Sequence, residues 1–234
     1  MAKQVKTKNE GGAGLVAWEE PKSAAAEAFR TLRTNIQFAS PDKPVHSILA
    51  TSTSPDDGKS TTVANLAVTF AASGSSTILV DADLRRPHLH QIFGLSNDAG
   101  LTTLISSLSR GGEEVSKELP LQETQVPNLL VMTSGPVPPN PAEMLASQRM
   151  AEVLAMLRAR ADYVLIDTPP VIAVTDAAVL APRVDGVLLV VNAGKTKRDL
   201  AVKARDMLQQ VNANLLGVVL NNAKIDKSAY EYYG

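Results

Sequence analysis

The 234-residue chain has no cysteine, few aromatic side chains (4%) and no long apolar run. The lack of cysteine excludes both a disulfide-stapled fold and an iron–sulfur cluster held by thiolates. A membrane-spanning helix needs about 18 or more consecutive apolar residues, whereas the longest clear run here covers residues 187–191 only. Residues 1–14 also lack the apolar middle of a signal peptide. We therefore expect a complete cytoplasmic chain.

Charge of neither sign dominates, because 23 Lys and Arg residues stand against 24 Asp and Glu residues, a formal net charge of -1. Such a chain has no overall field that attracts nucleic acid or anionic lipid, so we expect no specific nucleic-acid binding. With 44% hydrophobic and 20% charged residues it has the composition of a globular protein with a substantial core. We expect one domain that meets its partners through a defined site.

The composition divides the chain into three parts. Residues 1–22 are polar and glycine-rich, which predicts a flexible leader. Residues 23–223 are expected to form the domain. Its first element is predicted to be an amphipathic helix over residues 23–39, with Ser23 as N-cap, because apolar residues recur there at spacings of three and four. Residues 224–234 are expected to form a solvated tail.

Six short apolar runs alternate with helical patterns after this first helix. Runs that are apolar throughout are typical of parallel strands covered on both faces, and the stretches between them are long enough for crossover helices. These features predict an α/β fold with a doubly wound, mostly parallel sheet flanked by helices. The predicted strands are residues 45–51, 77–81, 129–133, 163–167, 186–192 and 215–220. The predicted crossover helices are residues 59–72, 141–160, 175–181 and 197–211.

A phosphate-binding pattern follows the first predicted strand, in residues 52–61. Between a strand and a helix, such a loop directs backbone N–H groups and the positive helix end at a phosphate. Lys59 is then expected to reach the β- and γ-phosphates of ATP, and the hydroxyl of Ser60 to ligate Mg2+. The usual pattern has glycine where this chain has Thr53, and an ordinary turn before a helix is the alternative. The expected nucleotide-binding residues of the loop are Ser54, Pro55, Asp56, Asp57, Gly58, Lys59, Ser60 and Thr61.

Three aspartates at strand ends are candidates for metal and proton chemistry. Asp81 and Asp83 end the second predicted strand on the same side of an extended chain, so the pair can share Mg2+ binding and acceptance of a proton from a substrate hydroxyl. Asp167 ends the fourth predicted strand, as a Walker B aspartate does. The carboxyl ends of parallel strands meet at one edge of the sheet, which brings these aspartates near Lys59. Asp56, by contrast, repels phosphates unless its carboxylate turns outward.

Together these motifs resemble the deviant Walker group of P-loop ATPases, which includes partition and Min-type proteins and bacterial tyrosine kinases. Partition and Min-type proteins carry a second lysine near the start of the loop, where this chain has Ser54. The chain is more similar to the stand-alone bacterial tyrosine kinases that regulate capsule and exopolysaccharide export. Residues 27–36 are similar to that family's Glu-x-x-Arg-x-x-Arg helix, residues 81–87 to its second Walker segment, and residues 135–145 to its Pro-Pro-Asn-Pro stretch.

The resemblance implies an ATP- and Mg2+-dependent protein-tyrosine kinase whose catalytic residues are Lys59, Asp81 and Asp83. In this interpretation Asp81 accepts the tyrosine proton, while Ser60, Asp83 and Asp167 hold the metal directly or through water. Spacing alone allows Asp81 and Asp83 to exchange these roles.

Assembly and recruitment to the membrane are further implications of the resemblance. In the family the Glu-x-x-Arg-x-x-Arg helix joins subunits into a ring, which here involves Glu27, Arg30 and Arg33. Without the resemblance, these residues are typical of a solvated helix face. The family also implies a transmembrane activator whose cytoplasmic segment completes the nucleotide site and recruits the kinase to the inner face of the cell membrane. Further protein substrates are expected in sugar-nucleotide or polysaccharide metabolism.

Three of the four tyrosines lie close together, at Tyr230, Tyr232 and Tyr233. Neighbouring charged residues favour a solvated tail, and an aromatic tail docked on the body is the alternative. The resemblance implies that this cluster is the autophosphorylation site, presented by one subunit to its neighbour. Asn221 or Asn222, after the last predicted strand, is expected to contact adenine, although such residues also initiate turns.

Other functions stay open on the sequence alone. A Min- or partition-like ATPase switch would hydrolyse ATP without phosphorylating protein, a non-catalytic module would only bind nucleotide, and a small-molecule kinase or ligase could use the same sheet. Arg85 and Arg86 either neutralise charge near the phosphates or solvate the loop. The tyrosine cluster favours the protein kinase among these alternatives.

Overall fold

A computed structural model describes residues 14–39, 43–108 and 118–223 of the chain. Its strands are β1 (Ser47–Ser52), β2 (Thr77–Asp81), β3 (Gln122–Glu123), β4 (Leu129–Met132), β5 (Tyr163–Asp167), β6 (Gly186–Asn192) and β7 (Leu215–Asn221). Within the described residues they form one seven-stranded sheet in the order β3-β4-β2-β5-β1-β6-β7. The short β3 pairs antiparallel with β4, whereas all other neighbours are parallel. The predicted α/β fold with a mostly parallel sheet is confirmed.

Helices cover both faces of this sheet and create two hydrophobic cores. One face carries α1 (Val16–Glu19), α2 (Ala24–Phe38), α3 (Lys59–Ala72) and α4 (Leu89–Phe93). The other face carries α5 (Leu101–Ser107), α6 (Pro141–Ala146), α7 (Gln148–Arg160), α8 (Asp176–Leu180) and α9 (Arg198–Gln210), with a 3-10 turn at Ala181–Arg183. This arrangement is the doubly wound architecture in which ligands bind at the carboxyl edge of the strands.

Burial on both faces explains why the strand sequences lack polar–apolar alternation. Every residue of β1, β2 and β6 is buried. Consecutive side chains point to opposite faces, so Ile48 and Ala50 belong to one core and Leu49 to the other. Sequences of this kind are typical of strands in the interior of a parallel sheet.

The chain before the first predicted helix is more ordered than the composition indicated. α1 lies within the region predicted as a leader, and both Leu15 and Ala17 are buried against the core that contains α3. The backbone N–H of Ala17 donates to Oδ1 of Asn65 at 2.8 Å. Residues 14–20 are therefore packed on the domain, while residues 1–13 and the predicted tail over residues 224–234 lie outside the described residues.

One further local prediction differs from the structure. The single helix predicted over residues 141–160 is wrong, because the chain forms α6 and α7 with a break at Ser147. The backbone of Ser147 is extended, and its hydroxyl accepts the N–H of Met150 as the N-cap of α7. The N-cap predicted at Ser23 is present, since its hydroxyl accepts the N–H of Ala26. Within the described residues, no helix is both long and apolar enough to cross a membrane.

Candidate active site

The phosphate loop connects β1 to α3 in the predicted strand–loop–helix order. Gly58 ends the loop with φ +83°, and α3 begins at Lys59, so the first free N–H groups of that helix border the loop. Asp56 adopts φ +62°, and its side chain is exposed. Aspartate tolerates this left-handed conformation, and the exposed Asp56 carboxylate can be screened by solvent.

A hydrogen-bond network around Asp57 holds the loop in shape. Oδ2 of this buried carboxylate accepts the hydroxyl of Thr53 at 2.6 Å and the N–H of Ser54 at 2.9 Å. Oδ1 accepts the hydroxyl of Thr196, in the loop after β6, at 3.1 Å. The threonine that replaces the usual glycine therefore has a structural role, and the Asp57 side chain binds the loop itself rather than facing outward.

Gly58 is required at its position for a second reason besides its positive φ. A Cβ there would clash with Nδ2 of Asn221, the last residue of β7. This amide donates to the carbonyl of Asp57 at 2.9 Å. Asn221 thus supports the loop from behind, and Asn222 is exposed with φ +56°. Neither asparagine borders the cleft described below, so the adenine contact expected for them stays a prediction.

Lys59 brings together the aspartates expected at the strand ends. Its Nζ lies 2.5 Å from Oδ1 of Asp167 and 3.7 Å from Oδ2 of Asp83. Ser60 donates its hydroxyl to Oδ2 of Asp167 at 2.5 Å. Asp167 is fully buried and Lys59 is only 7% exposed, so this ion pair is shielded from solvent. These residues lie together at one edge of the sheet, as the sequence predicted.

The two aspartates after β2 have different surroundings. Asp81 is fully buried, and its carboxylate accepts the N–H groups of Asp83, His88 and Leu89 at 3.2, 3.0 and 2.9 Å. Burial, assisted by the neighbouring Asp167 carboxylate, raises the pKa of Asp81 to about 7. In this conformation Asp81 cannot contact a substrate hydroxyl. The proton-accepting role that the resemblance implies for it is therefore not supported by its position.

Asp83 is the aspartate of this pair that faces open space. Its Oδ1 accepts the N–H of Arg86 at 3.0 Å, and its other oxygen points toward Lys59. Burial raises the pKa of Asp83, although the Lys59 ammonium opposes the shift. The side chain borders a cleft of about 690 Å³ at the carboxyl edge of the sheet. All loop residues predicted to bind nucleotide border the same cleft: Ser54, Pro55, Asp56, Asp57, Gly58, Lys59, Ser60 and Thr61.

The donor set at the cleft fits Mg2+ carried by a nucleotide. The oxygen donors are the hydroxyl of Ser60 and the carboxylates of Asp83 and Asp167, which all lie around Lys59. No group of three His, Cys, Asp or Glu side chains arranged to hold a metal occurs in the described part of the chain. Protein-bound Mg2+ commonly has one or two carboxylates together with substrate phosphates as ligands, so two carboxylates and a hydroxyl suffice.

Two contacts that the sequence did not predict support the site, and they involve Asp176 and Thr196. Asp176, at the start of α8, binds Arg85 through two hydrogen bonds of 2.9 and 3.0 Å. Thr196 binds Asp57, as described above. Both arginines border the cleft with exposed side chains, but Arg85 is bound by a carboxylate. The partners are 91 and 139 residues apart, so no local spacing signals either contact.

The predicted interface residues lie on α2, away from the cleft. Arg30 donates to Glu27 at 2.7 Å and to the carbonyl of Pro21 at 2.8 Å, and both side chains of the ion pair are exposed. Arg33 is half-buried and donates to the carbonyl of Thr69 in α3 at 2.8 Å. Glu27 and Arg30 are thus available at the surface, while Arg33 also fastens α2 to the domain.

Among the tyrosines, only Tyr163 belongs to the described residues. It begins β5 at the amino edge of the sheet, packs on Phe70 with ring centroids 4.2 Å apart, and accepts a 3.3 Å hydrogen bond from Gln37. Tyr230, Tyr232 and Tyr233 lie outside the described residues.

Comparison with protein families agrees with this geometry. Residues 45–230 match the profile of the ParA family, described as NUBPL iron-transfer P-loop NTPases. The strand–loop–helix site and the aspartates beside it define the deviant Walker class of P-loop NTPases, to which this match also points.

Relatives of known name narrow the class. The chain is 46% identical over 221 residues to the tyrosine-protein kinase YwqD of Bacillus subtilis (strain 168), covering 94% of this chain and 91% of YwqD. It is 40% identical over 222 residues to the putative tyrosine-protein kinase CapB of Staphylococcus aureus, covering 94% and 95%. The crystal structure of the chimerical protein CapA2B2 has a TM-score of 0.83 and 41% identity, covering 90% of each chain. The chain therefore belongs to the family of bacterial tyrosine-protein kinases.

Proposed function

We propose that this chain is an ATP-dependent tyrosine kinase that phosphorylates Tyr230, Tyr232 and Tyr233 of a neighbouring copy. The observation that carries the proposal is the convergence of Lys59, Ser60 and Asp83 on one cleft, with the buried carboxylate of Asp167 bound to Lys59 and Ser60. Such a site can bind phosphates and neutralise charge on a transferring phosphoryl group. The tyrosine cluster supplies an acceptor, and membership of the tyrosine-kinase family supports this class of acceptor.

Phosphate binding is the task of the loop and of Lys59. N–H groups at the start of α3 bind phosphate oxygens, and Lys59 exchanges its ion pair with Asp167 for the β- and γ-phosphates. Ser60, Asp83 and Asp167 would hold Mg2+, which when bound supplies charge neutralisation between the phosphates. Release of Lys59 from Asp167 frees that carboxylate for this role.

We assign contact with the reacting groups to Asp83. Asp81 instead positions residues 82–89. Asp83 borders the cleft, where its carboxylate can contact the reacting groups directly or through the metal that it would hold. Asp81 is sealed from the cleft by the backbone that it binds. Because phosphoryl transfer passes through a loose transition state, positioning and charge neutralisation contribute more than removal of the tyrosine proton.

We extend the proposal to assembly and partners. The exposed pair of Glu27 and Arg30 on α2 joins copies into a ring, which delivers the tyrosines in trans. Each phosphate adds roughly two negative charges, and their repulsion then loosens the ring. A transmembrane activator recruits the kinase to the inner face of the cell membrane. Its other substrates are proteins of sugar-nucleotide or polysaccharide metabolism, and the output is control of capsule or exopolysaccharide synthesis.

Phosphosite mapping by mass spectrometry tests the central claim. The full chain is incubated with ATP and Mg2+, with and without the cytoplasmic segment of an activator, beside the Lys59→Met variant. Phosphate is expected on Tyr230, Tyr232 or Tyr233 only when Lys59 is present, and Tyr163, half-buried at the opposite edge, serves as an internal control that stays unmodified. Hydrolysis of ATP without phosphotyrosine, with activator present, would instead assign the chain to the ATPase switches.

A further inference from the structure

The two arginines that follow Asp83 differ in what holds them. Arg85 forms a bidentate ion pair with Asp176, in which Nε and Nη2 donate to Oδ2 and Oδ1 at 2.9 and 3.0 Å. Arg86 forms no ion pair with another residue of the described ranges and borders the cleft. The Asp176 carboxylate is 0% exposed, whereas the Arg85 side chain is 39% exposed. Both side chains border the cleft, and only that of Arg85 is held by a carboxylate.

The Arg85–Asp176 pair joins the two loops that carry the carboxylates of the site. Arg85 lies two residues after Asp83, in the loop that follows β2. Asp176 begins α8, at the end of the loop that follows Asp167 and β5. Both loops border the cleft, the first with Pro87 and His88 and the second with Pro169 and Pro170. The ion pair therefore closes a connection between neighbouring strands beyond the ends of both.

The chemistry of the pair makes the connection rigid. A guanidinium and a carboxylate that share two hydrogen bonds are fixed in orientation as well as in distance. A fully buried carboxylate without its partner is strongly unfavourable, so Asp176 retains Arg85. Asp83 belongs to the same loop as Arg85, and its Oδ1 accepts the N–H of Arg86 at 3.0 Å. Displacement of Arg85 would thus move the backbone that carries Asp83.

We propose that Arg85 and Asp176 are positioning residues that set the separation of Asp83 and Asp167 on either side of Lys59. In the structure Lys59 Nζ lies 3.7 Å from Asp83 Oδ2 and 2.5 Å from Asp167 Oδ1. The Arg85–Asp176 ion pair keeps these two carboxylates at a fixed separation from each other when Lys59 turns to the phosphates. Arg85 also borders the cleft, but its Nε and Nη2 are bound by Asp176, so we assign it a positioning role through the loop. The inference rests on the proposed function, because the separation matters through the nucleotide and metal that the cleft holds.

The Asp176→Asn variant of the full chain is the main test, because asparagine keeps the shape and one acceptor oxygen. The kcat of phosphate transfer is expected to fall about 10- to 100-fold, the usual effect of losing a group that orients a metal ligand, with little change in the affinity for ATP in the absence of Mg2+. Amide hydrogen exchange in the peptide covering residues 82–89 is expected to become faster in the absence of nucleotide. Arg85→Lys keeps the charge and one donor, so its kcat and its exchange rate are expected to lie between those of the wild type and those of Asp176→Asn.

The double variant Arg85→Lys/Asp176→Asn identifies the pair as a unit. Its kcat is expected to match that of Asp176→Asn, since the second change removes a contact already lost, whereas additive losses would contradict the proposal. Asp185→Asn is the matched control, because Asp185 also contacts an arginine, Arg158, but at the amino edge of the sheet. It is expected to leave kcat and exchange in residues 82–89 unchanged.

Two outcomes would overturn the proposal that Arg85 and Asp176 are positioning residues. One is a kcat for Asp176→Asn equal to that of Asp185→Asn, and the other is unchanged exchange in residues 82–89. If the wild-type chain hydrolyses ATP but phosphorylates no tyrosine, the proposed function fails, and the same comparison of variants is made on hydrolysis. Affinity for a fluorescent ATP analogue, measured with and without Mg2+, separates failure of the positioning role from failure of the proposed function. If the positioning role is correct, Asp176→Asn weakens binding with Mg2+ more than binding without it.

Discussion

Lys59 Nζ and Asp167 Oδ1 are 2.5 Å apart at the end of the phosphate loop. The other oxygen of the same carboxylate accepts the hydroxyl of Ser60, so one buried aspartate connects two neighbouring residues of the loop to β5. In this state the lysine neutralises carboxylates rather than phosphates. Nucleotide binding therefore requires Lys59 to exchange the Asp167 carboxylate for phosphate oxygens. Occupancy of the cleft is thus linked to the charge that remains on Asp167.

The Lys59→Met variant is expected to abolish tyrosine phosphorylation and to lower the free energy of unfolding. Loss of the ammonium leaves the buried Asp167 uncompensated, and breaking a buried pair from one side costs about 3 kcal/mol or more. Phosphosite mapping and urea unfolding measure the two effects. Lys59→Arg is the control, since it should recover stability but not phosphate transfer. Undiminished phosphorylation in Lys59→Met would contradict the site assignment.

Gly58→Ala is expected to weaken nucleotide binding as well as the fold. An added Cβ meets Nδ2 of Asn221, which then releases the carbonyl of Asp57, and the positive φ adds strain of about 1 kcal/mol. Gly74→Ala is the matched control, because its φ is +93° and no atom lies within 4 Å of the added Cβ. Equilibrium titration with a fluorescent ATP analogue should show weaker binding for Gly58→Ala alone, and equal affinities in both variants would count against the contact.

Asparagine substitutions separate the roles of Asp81 and Asp83. Asp81→Asn is expected to lower the free energy of unfolding by about 1–3 kcal/mol, because the NH2 group that replaces one carboxylate oxygen cannot accept the backbone N–H groups bound at that position. Asp83→Asn is expected to reduce kcat with a smaller effect on stability. Urea unfolding and autophosphorylation kinetics test both variants. A fully stable Asp81→Asn variant without activity would return the catalytic role to Asp81.

The pH dependence of stability should reveal Asp185 at the amino edge of the sheet. Burial by itself would raise the pKa of Asp185, but hydrogen bonds from Ser47 and the N–H of His46, with the Arg158 charge, lower it below its usual value. A lowered pKa stabilises the fold at pH values above the unfolded value of about 4, and this contribution is lost as the pH falls through the folded pKa.

For a side chain that is 35% exposed, this contribution is about 1 kcal/mol at most after screening by solvent. The difference in unfolding free energy between the wild type and Asp185→Asn should therefore be constant from pH 6 to about pH 5 and shrink below about pH 4. Urea unfolding at several pH values measures it. A difference that grows as the pH falls would have the wrong sign for this explanation.

Reversal of the charges on α2 tests the proposed ring. The double variant Glu27→Arg/Arg30→Glu keeps an ion pair three residues apart within the helix while reversing what a neighbouring copy meets. The mass in solution, measured by light scattering, is expected to fall toward that of a single chain. Arg33 is a less suitable probe because its change also breaks the bond to Thr69. An unchanged mass would mean that this surface is not an interface.

The sequence was sufficient for the parallel sheet because burial on both faces leaves unbroken apolar runs, such as those of β1 and β6. It also located Lys59 and the aspartates at the strand ends, since each lies beside a recognisable strand. The two-residue β3 and the four-residue α1 were missed because segments so short carry no periodicity. Their positions depend on tertiary contacts.

The finer organisation of the site was not accessible in the same way. The different environments of Asp81 and Asp83 arise from the turn that follows β2, which brings the N–H groups of His88 and Leu89 onto one carboxylate. The contact of Arg85 with Asp176 depends on the adjacency of β2 and β5, which are far apart in the chain. Two identical side chains separated by one residue thus have different surroundings because of contacts that no linear pattern contains.

The bond from Asn221 to the phosphate loop fixes where the tyrosines begin their path. β7 ends beside Gly58, so the chain leaves the domain next to the cleft. Tyr233 lies ten residues after Ala223, and an extended chain of that length spans at most about 35 Å. In the proposed function, this length alone would allow a tyrosine to meet the cleft of its own chain. Phosphorylation in trans would therefore depend on the proposed assembly of subunits, which would bring a neighbouring cleft within the same distance.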